Sequence, residues 1–245
     1  MPEGPSIVIL TQQAGPFTGR HILRASGNTR MDKQVLRGQR ILALRSFGKQ
    51  FLLQLPSLTV RIHFLLFGSW LVDERKDRTP RLSLAFARGE LNLYACSVRY
   101  LEGDLDDLYD WRTDVLSPVW DPALARERLR AQPETLACDA LLDQGVFAGV
   151  GNIIKNEVLF RIRVHPLSRI GALPARKLDE LVHEARRYSF QFLAWKRAFV
   201  LRKHWLAHNQ GTCPRDHVPF QRAWLGRTHR RSFWCERCQV RYGGA

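Results

Sequence analysis

Short apolar runs broken by glycine, proline or asparagine dominate the first half of the chain. HILRASGN (21–28), GQRILALRSFG (38–48), QFLLQLPS (50–57), LTVRIHFLLFG (58–68), PRLSLAFARG (80–89) and ELNLYACSVRYLEG (90–103) are rich in Val, Ile, Leu and Phe, as strands are. Apolar and polar positions alternate clearly at Leu82, Leu84 and Phe86, and again at Leu91, Leu93 and Tyr94 with a slip of one residue. Six such runs at this spacing predict a β-sandwich or barrel. One stretch stands apart: residues 4–13 enter through Pro5 and read as a helix.

The pattern changes after the acidic run 102–110. Asp121-Pro122 is a helix start, with Asp in the capping position and Pro in the first turn. Residues 123–131, 137–143, 153–160 and 175–199 carry apolar side chains at helical spacing. The last of these has a basic face made of Arg186, Arg187, Lys196 and Arg197. From about His208 the chain turns rich in Arg, Cys and His and poor in aliphatics. The expected fold is therefore α+β, in three parts: a β-sandwich with an N-terminal helix over 1–115, a helical domain over 116–207, and a small metal-pinned hairpin over 208–245.

Charge narrows the kind of partner. The 245 residues carry a formal charge of +15, distributed unevenly. Residues 1–120 hold 16 basic and 12 acidic side chains, and residues 121–245 hold 22 and 11. A basic C-terminal half suits a polyanion, nucleic acid before an anionic membrane surface, although an arginine-rich composition gives the same excess. No apolar run reaches the roughly 18 residues of a membrane span. The start, MPEGPSIVIL, has neither a basic stretch before its apolar residues nor a small-residue cleavage site. A soluble, intracellular protein without a membrane partner is expected. Five cysteines, three of them after residue 212, do not make a disulfide framework.

Three constellations carry chemistry. Cys213-Pro-Arg-Asp-His217 is followed, after 17 intervening residues, by Cys235-Glu-Arg-Cys238. Two close ligand pairs on two turns form a closed tetrahedral cage of three thiolates and an imidazole, the signature of a structural Zn2+. His204, His208 and His229 lack the close spacing to Cys213, while Cys96 and Cys138 read as core thiols. Between the pairs lie Arg222, Arg227, Arg230 and Arg231 with Trp224, Phe233 and Trp234, a hairpin suited to phosphate or simply a solvated basic loop. Next, Gln144-Gly-Val-Phe-Ala-Gly-Val-Gly-Asn152 turns tightly between two helices. Asn152 there either caps the second helix or offers its amide to a phosphate. Last, removal of Met1 would leave Pro2 with a free secondary amine titrating near ~8. Such an amine attacks an aldehyde-level carbon to form an iminium, and the adjacent Glu3 could move protons.

Together these pieces resemble the formamidopyrimidine-DNA glycosylase/endonuclease VIII family of DNA-repair enzymes. The likeness runs in the family's order through PEGP at the start, Gly48-Lys49, HFLLFGS (63–69), LLDQGVFAGVGNIIKNEVLF (141–160) and RRSFWCERCQ (230–239). It implies DNA held between a β-sandwich and a helical domain that bears a helix–two-turns–helix element and a zinc finger. It also implies excision of a damaged base, followed by strand cleavage through β- and δ-elimination. By motif position Pro2 would be the Schiff-base nucleophile, Glu3 the acid that opens the sugar, and Lys49 a phosphate ligand that assists elimination. His63, Asn152 and Arg230 would contact phosphates, and Leu66 would fill the space left by the flipped nucleotide. The implied partner is damaged double-stranded DNA bound by a monomer close to the chromosome, with single-stranded and bubble DNA left open.

PEGP, and a short link to Cys213 without a glycine-rich loop, resemble the endonuclease VIII branch, which prefers oxidised pyrimidines. The chain departs from the family in three places. Position 6 is Ser6 where many members have glutamate, the finger is Cys-His-Cys-Cys, and Leu65 stands where a glycine is common. Two other readings are a non-catalytic damaged-DNA-binding protein on this scaffold and the same enzyme class with oxidised-purine specificity.

Overall fold

The computed structural model describes residues 2–243. Met1, whose removal the N-terminal reading requires, lies outside the described residues. The chain divides into two compact units, Met1–Asp110 and Trp111–Ala245. The division falls a few residues before the expected 115/116 boundary. Residues 208–243 belong to the helical unit rather than forming a third part.

The first unit opens with α1 (Gly4–Gln13), entered through Pro5 in its first turn, with Glu3 in the N-cap position. Six strands follow: β1 (Arg24–Ser26), β2 (Ala43–Phe47), β3 (Gln50–Gln54), β4 (Thr59–Val72), β5 (Leu82–Ala85) and β6 (Glu90–Leu101). They form one antiparallel sheet in the order β1-β5-β6-β4-β3-β2. The expected sandwich is thus a continuous sheet whose two ends contribute to a single core. Ile22 and Leu84 from one end meet Phe51 and Leu53 from the other, with Ile7 and Leu10 of α1. α1 rests on β2 and β3. Alternation is strict along the start of β4, where Val60, Ile62 and Phe64 are buried and Arg61 and His63 are only partly so. A short helix α2 (Leu105–Leu108) closes the unit, capped by the Asp104 carboxylate, which accepts the Asp106 N–H at 2.8 Å.

The slip noted at Leu91, Leu93 and Tyr94 has a structural cause. The β4–β6 register runs through Phe64↔Cys96 and resumes at Ser69↔Tyr94, so residues 65–68 stand opposite Ala95 alone. Ala95 takes a left-handed φ of 47°, and the buried phase of β6 shifts by one residue. Gly68 is needed where the bulge closes. A Cβ there would stand 2.5 Å from Phe64 Cβ and 2.9 Å from the Ala95 carbonyl oxygen.

The second unit is built from α3 (Pro122–Arg130), α4 (Ala137–Ala140), α5 (Asn152–Arg161), α6 (Ala175–Arg197) and the hairpin β7 (Gln221–Leu225) and β8 (Arg230–Trp234). Asp121 caps α3 by accepting the N–H groups of Ala123 and Leu124 at 2.8 and 3.1 Å. The helix expected over 137–143 is a single turn. Asp143 accepts the Gly145 N–H at 2.8 Å and diverts the chain into the glycine turn. α6 stops at Arg197 because Phe199 adopts φ 58°, while the Val200 N–H reaches back to the Trp195 carbonyl.

One core gathers Phe147, Val150 and Ile154 with Leu181, Tyr188 and Phe192 of α6. A smaller one joins Phe160 of α5 to Ala207, Cys213, Phe220 and Cys235. Phe160 is one of the points that attach residues 208–243 to the helices. The wholly buried Glu157 carboxylate accepts the N–H groups of Leu206, Ala207 and His208 and pairs with Arg161. That fixes the entry to the finger. No helix among the described residues is long and apolar enough to cross a membrane.

Candidate functional site

Pro2 is half-buried immediately before α1, and Glu3 is buried with 3% exposure. The Glu3 carbonyl accepts the Ser6 N–H at 2.8 Å, so the first helical turn holds the backbone of the pair Pro2-Glu3. Lys49 sits in the two-residue turn between β2 and β3. Gly48 takes the first central position with φ 53°, as a type II′ hairpin requires. His63 on β4 pairs in register with Gln50, the residue after Lys49. Burial lowers the His63 imidazole below its usual value, and the positive charges of Lys49 and Arg61 lower it further. A neutral imidazole and an ammonium therefore share this end of the sheet. Tyr109 joins them, donating its hydroxyl to Gln50 Oε1 at 2.8 Å and stacking tilted on Phe47 at 4.6 Å. Sequence reasoning missed Arg61, Gln50 and Tyr109: strand pairing sets Gln50 opposite His63, and Tyr109 arrives from the end of α2.

Leu66 lies on the β4 bulge, where Leu65, Leu66 and Phe67 are all exposed, Phe67 most at 79%. Three consecutive exposed apolar side chains form the projecting element, so Leu66 does not stand alone. The run HFLLFGS contained them, but a continuous apolar run does not show which residues leave the core.

In the second unit Gln144 closes the glycine turn. Its Nε2 donates to the Leu142 and Val150 carbonyls, and its Oε1 accepts the Gly149 N–H at 3.2 Å. Gly149 needs its glycine, with φ 101°. Gly151, not Asn152, holds the N-cap position of α5. Asn152 Nδ2 donates to the Arg231 carbonyl at 3.0 Å, and its Oδ1 is buried with no protein partner. The structure thus brings Asn152 onto the strand that carries Arg230, whose side chain is exposed at the start of β8. The basic face of α6 is partly consumed internally. Arg186 donates to the Val115 and Ser117 carbonyls, and Arg187 forks onto Glu184.

At the base of the hairpin the sulfurs of Cys213 and Cys238 lie 3.9 Å apart. One Asp216 oxygen lies 3.5 Å from Cys213 Sγ and 3.2 Å from Cys235 Sγ. One donor atom from each of these four residues falls within 4.8 Å of all the others. These residues are positioned to bind a metal ion. His217, the expected fourth ligand, is outside this group. The Cys213 N–H bonds the Val218 carbonyl and the His217 N–H bonds the Cys213 carbonyl, a tight turn with His217 at φ 55°. That turn aims Asp216 inward and leaves His217 exposed. Burial pushes the Cys238 thiol up to about 12, with Asp216 adding to the shift, and raises Cys235 as well. A dication at the centre would reverse that preference and hold the thiolates.

Comparison with known proteins bears on the fold and the family. The family model described as "Formamidopyrimidine-DNA glycosylase H2TH domain" matches residues 113–188, which span α3 to most of α6 and the glycine turn. The chain is 33% identical to Endonuclease 8-like 2 of Bos taurus, over 74% of this chain and 58% of that protein. It is 29% identical to Endonuclease 8-like 3 of Mus musculus, over 80% of this chain and 34% of that protein. It therefore spans between about a third and three-fifths of these relatives' length. A crystal structure of Lactococcus lactis formamidopyrimidine-DNA glycosylase bound non-covalently to AP-site DNA superposes with a TM-score of 0.85 at 18% identity, covering 97% of this chain and 99% of that one. A viral DNA glycosylase superposes with a TM-score of 0.84 at 20% identity, covering 97% and 100%. Fold, helix–two-turns–helix element and relatives agree: this chain belongs to the formamidopyrimidine-DNA glycosylase/endonuclease VIII-like family.

Proposed function

We propose that this chain is a bifunctional DNA glycosylase and AP lyase of base excision repair that removes oxidised bases, pyrimidines preferentially. The observation that carries the reading is Pro2, half-buried next to the buried carboxyl of Glu3 at the mouth of α1. A secondary amine beside a desolvated acid is the pair that Schiff-base chemistry needs.

In the proposed reaction the Pro2 nitrogen bonds to C1′ of the damaged nucleotide as the glycosidic bond breaks, and the base leaves with that electron pair and a proton. Glu3 protonates the sugar ring oxygen as the ring opens, leaving an iminium between Pro2 and C1′. The iminium draws electrons from C2′, a proton departs there, and the 3′ phosphate leaves. A second elimination expels the 5′ phosphate, and hydrolysis frees Pro2. Lys49 holds a phosphate near this chemistry, His63 takes another as a neutral hydrogen-bonding group, and Asn152 and Arg230 take phosphates on the helical unit. Leu66, with Leu65 and Phe67, fills the stack that the flipped nucleotide vacates. Zinc is proposed for the Cys213–Asp216–Cys235–Cys238 group, where it would supply folding free energy rather than chemistry. A monomer acting on damaged duplex, in the compartment that holds DNA, completes the reading.

Borohydride reduction tests it. Wild-type protein should be trapped covalently on abasic-site DNA, and Pro2→Gly should lose nearly all trapping at unchanged DNA affinity. Absence of an adduct with DNA binding intact would leave a binding protein on this scaffold. Mass spectrometry of the mature N-terminus must find Met1 removed. A panel of thymine glycol, dihydrouracil and 8-oxoguanine duplexes measures base preference, and faster release of 8-oxoguanine would reverse the pyrimidine assignment.

A further inference from the structure

The arginine hairpin is attached to the helices at points far from the metal-ligating end. Asp139 on α4 is 7% exposed. Its carboxylate accepts the Arg227 N–H at 2.8 Å, the Thr228 N–H at 3.1 Å and the Thr228 hydroxyl at 3.0 Å. These groups form the turn between β7 and β8. The turn approaches so closely that a Cβ on Gly226, already at φ 70°, would stand 2.5 Å from both Asp139 oxygens. Charge-assisted bonds to backbone N–H groups are among the stronger ones available to a buried acid.

A second set of contacts holds β8 along its length. The Arg231 carbonyl accepts from Asn152 Nδ2 at 3.0 Å, Asn156 Nδ2 at 3.3 Å and Lys155 Nζ at 3.3 Å. Lys155, fully buried, also donates to Ser232 Oγ at 2.7 Å, and Asn156 Oδ1 accepts the Phe233 N–H at 3.2 Å. Successive strand residues face opposite ways. Pinning the Arg231 carbonyl therefore decides that Arg231 lies partly buried over Phe233 while Arg230 faces out. A slip of one residue would exchange them.

We infer that Asp139, together with Lys155 and Asn156, is a positioning residue that sets the register and exposure of the hairpin arginines from α4 and α5, so that the metal does not set them alone. The DNA-binding consequence rests on the proposed function; the structural consequence does not.

The test uses the full chain loaded with cobalt(II), whose absorption bands report the thiolate site. It combines amide hydrogen exchange over 225–233 with affinity for a short abasic duplex at several salt concentrations. Asp139→Ala should keep the cobalt spectrum and lose protection at Arg227 and Thr228. Its DNA affinity should fall roughly ten-fold, with a salt slope smaller by about 1 as one phosphate contact is lost. Asp139→Asn, which retains an acceptor oxygen, should restore part of both. Should Asp139→Ala not fold, Gly226→Ala and Thr228→Val disturb the same contact from the hairpin side and should give the same exchange pattern. Chelation of the wild-type protein should expose 213–217 and 235–238 while 226–228 stay protected. Unchanged exchange in Asp139→Ala, Gly226→Ala and Thr228→Val alike, or release of 226–228 by chelation alone, would overturn the inference. Loss of protection with unchanged DNA affinity would overturn its DNA-binding half. If the wild-type protein bound no DNA at all, the proposed function would fail while the exchange and cobalt results still decided the positioning role.

Discussion

Burial among Trp205, Phe233 and Asn156 lowers the His208 imidazole to about 4. Above pH 6.5 the ring is neutral whether the chain is folded or not. As pH falls from there towards 4, the unfolded chain takes up a proton that the folded one refuses, so stability is lost across that window. The loss is on the order of 3 kcal/mol. Urea midpoints measured between pH 7 and 4 should fall more steeply for the wild type than for His208→Gln. Parallel curves would refute the burial of that ring. The metal site supplies a second expectation at this scale. Asp216→Ala should weaken cobalt or zinc affinity at least about ten-fold while His217→Ala leaves it unchanged, as competition with a chelator would show. The reverse pattern would return the imidazole to the fourth position. Spacing alone favours His217 because a histidine is the better-known zinc ligand. Which of two adjacent side chains points inward depends on the φ of one residue, and ligand spacing does not encode that.

Among the elements, the β4 bulge is the most dependent on a single residue. Gly68→Ala places a methyl against Phe64 and the Ala95 carbonyl, and should cost about 1–3 kcal/mol of unfolding free energy by denaturant titration. A neutral result would mean that the bulge relaxes freely. Leu66→Ala and Phe67→Ala should leave stability nearly unchanged, since both side chains are exposed, and should reduce the fluorescence rise of a 2-aminopurine placed next to the lesion. Strands and long helices were legible in the sequence because burial on one face imposes a period of 2 or 3.6 on it. All six expected strands are present, and α1, α3, α5 and α6 lie within a residue or two of their expected spans. Elements that end through side chain–backbone bonds were less legible. α4 stops at Ala140 because Asp143 redirects the chain, and α6 stops at Arg197 because Phe199 turns left-handed.

For the whole molecule, the charge of +15 predicts that affinity for DNA falls steeply with salt. Neutralising 6–10 phosphates would cost about 10³–10⁵ in affinity between 50 and 200 mM, and a flat response would remove the electrostatic basis of the proposal. Not every cation is available for this. Arg186 serves the Val115 and Ser117 carbonyls, so its replacement should lower stability more than the salt slope. The sequence by itself determined the α+β class, the sheet and helices, the three cysteines, the glycine turn and the Pro2-Glu3 start. These are local patterns and short spacings, and the chain carries them wherever it folds. Only the tertiary structure decided that 208–243 pack onto the helices, that Asp216 rather than His217 faces the sulfurs, and that Tyr109 and Gln50 meet beside His63. It also decided that Asp139 and Lys155 hold the hairpin. Those contacts join residues about 50 to 90 apart in the chain or turn on one backbone angle, and such pairings leave no period in the sequence.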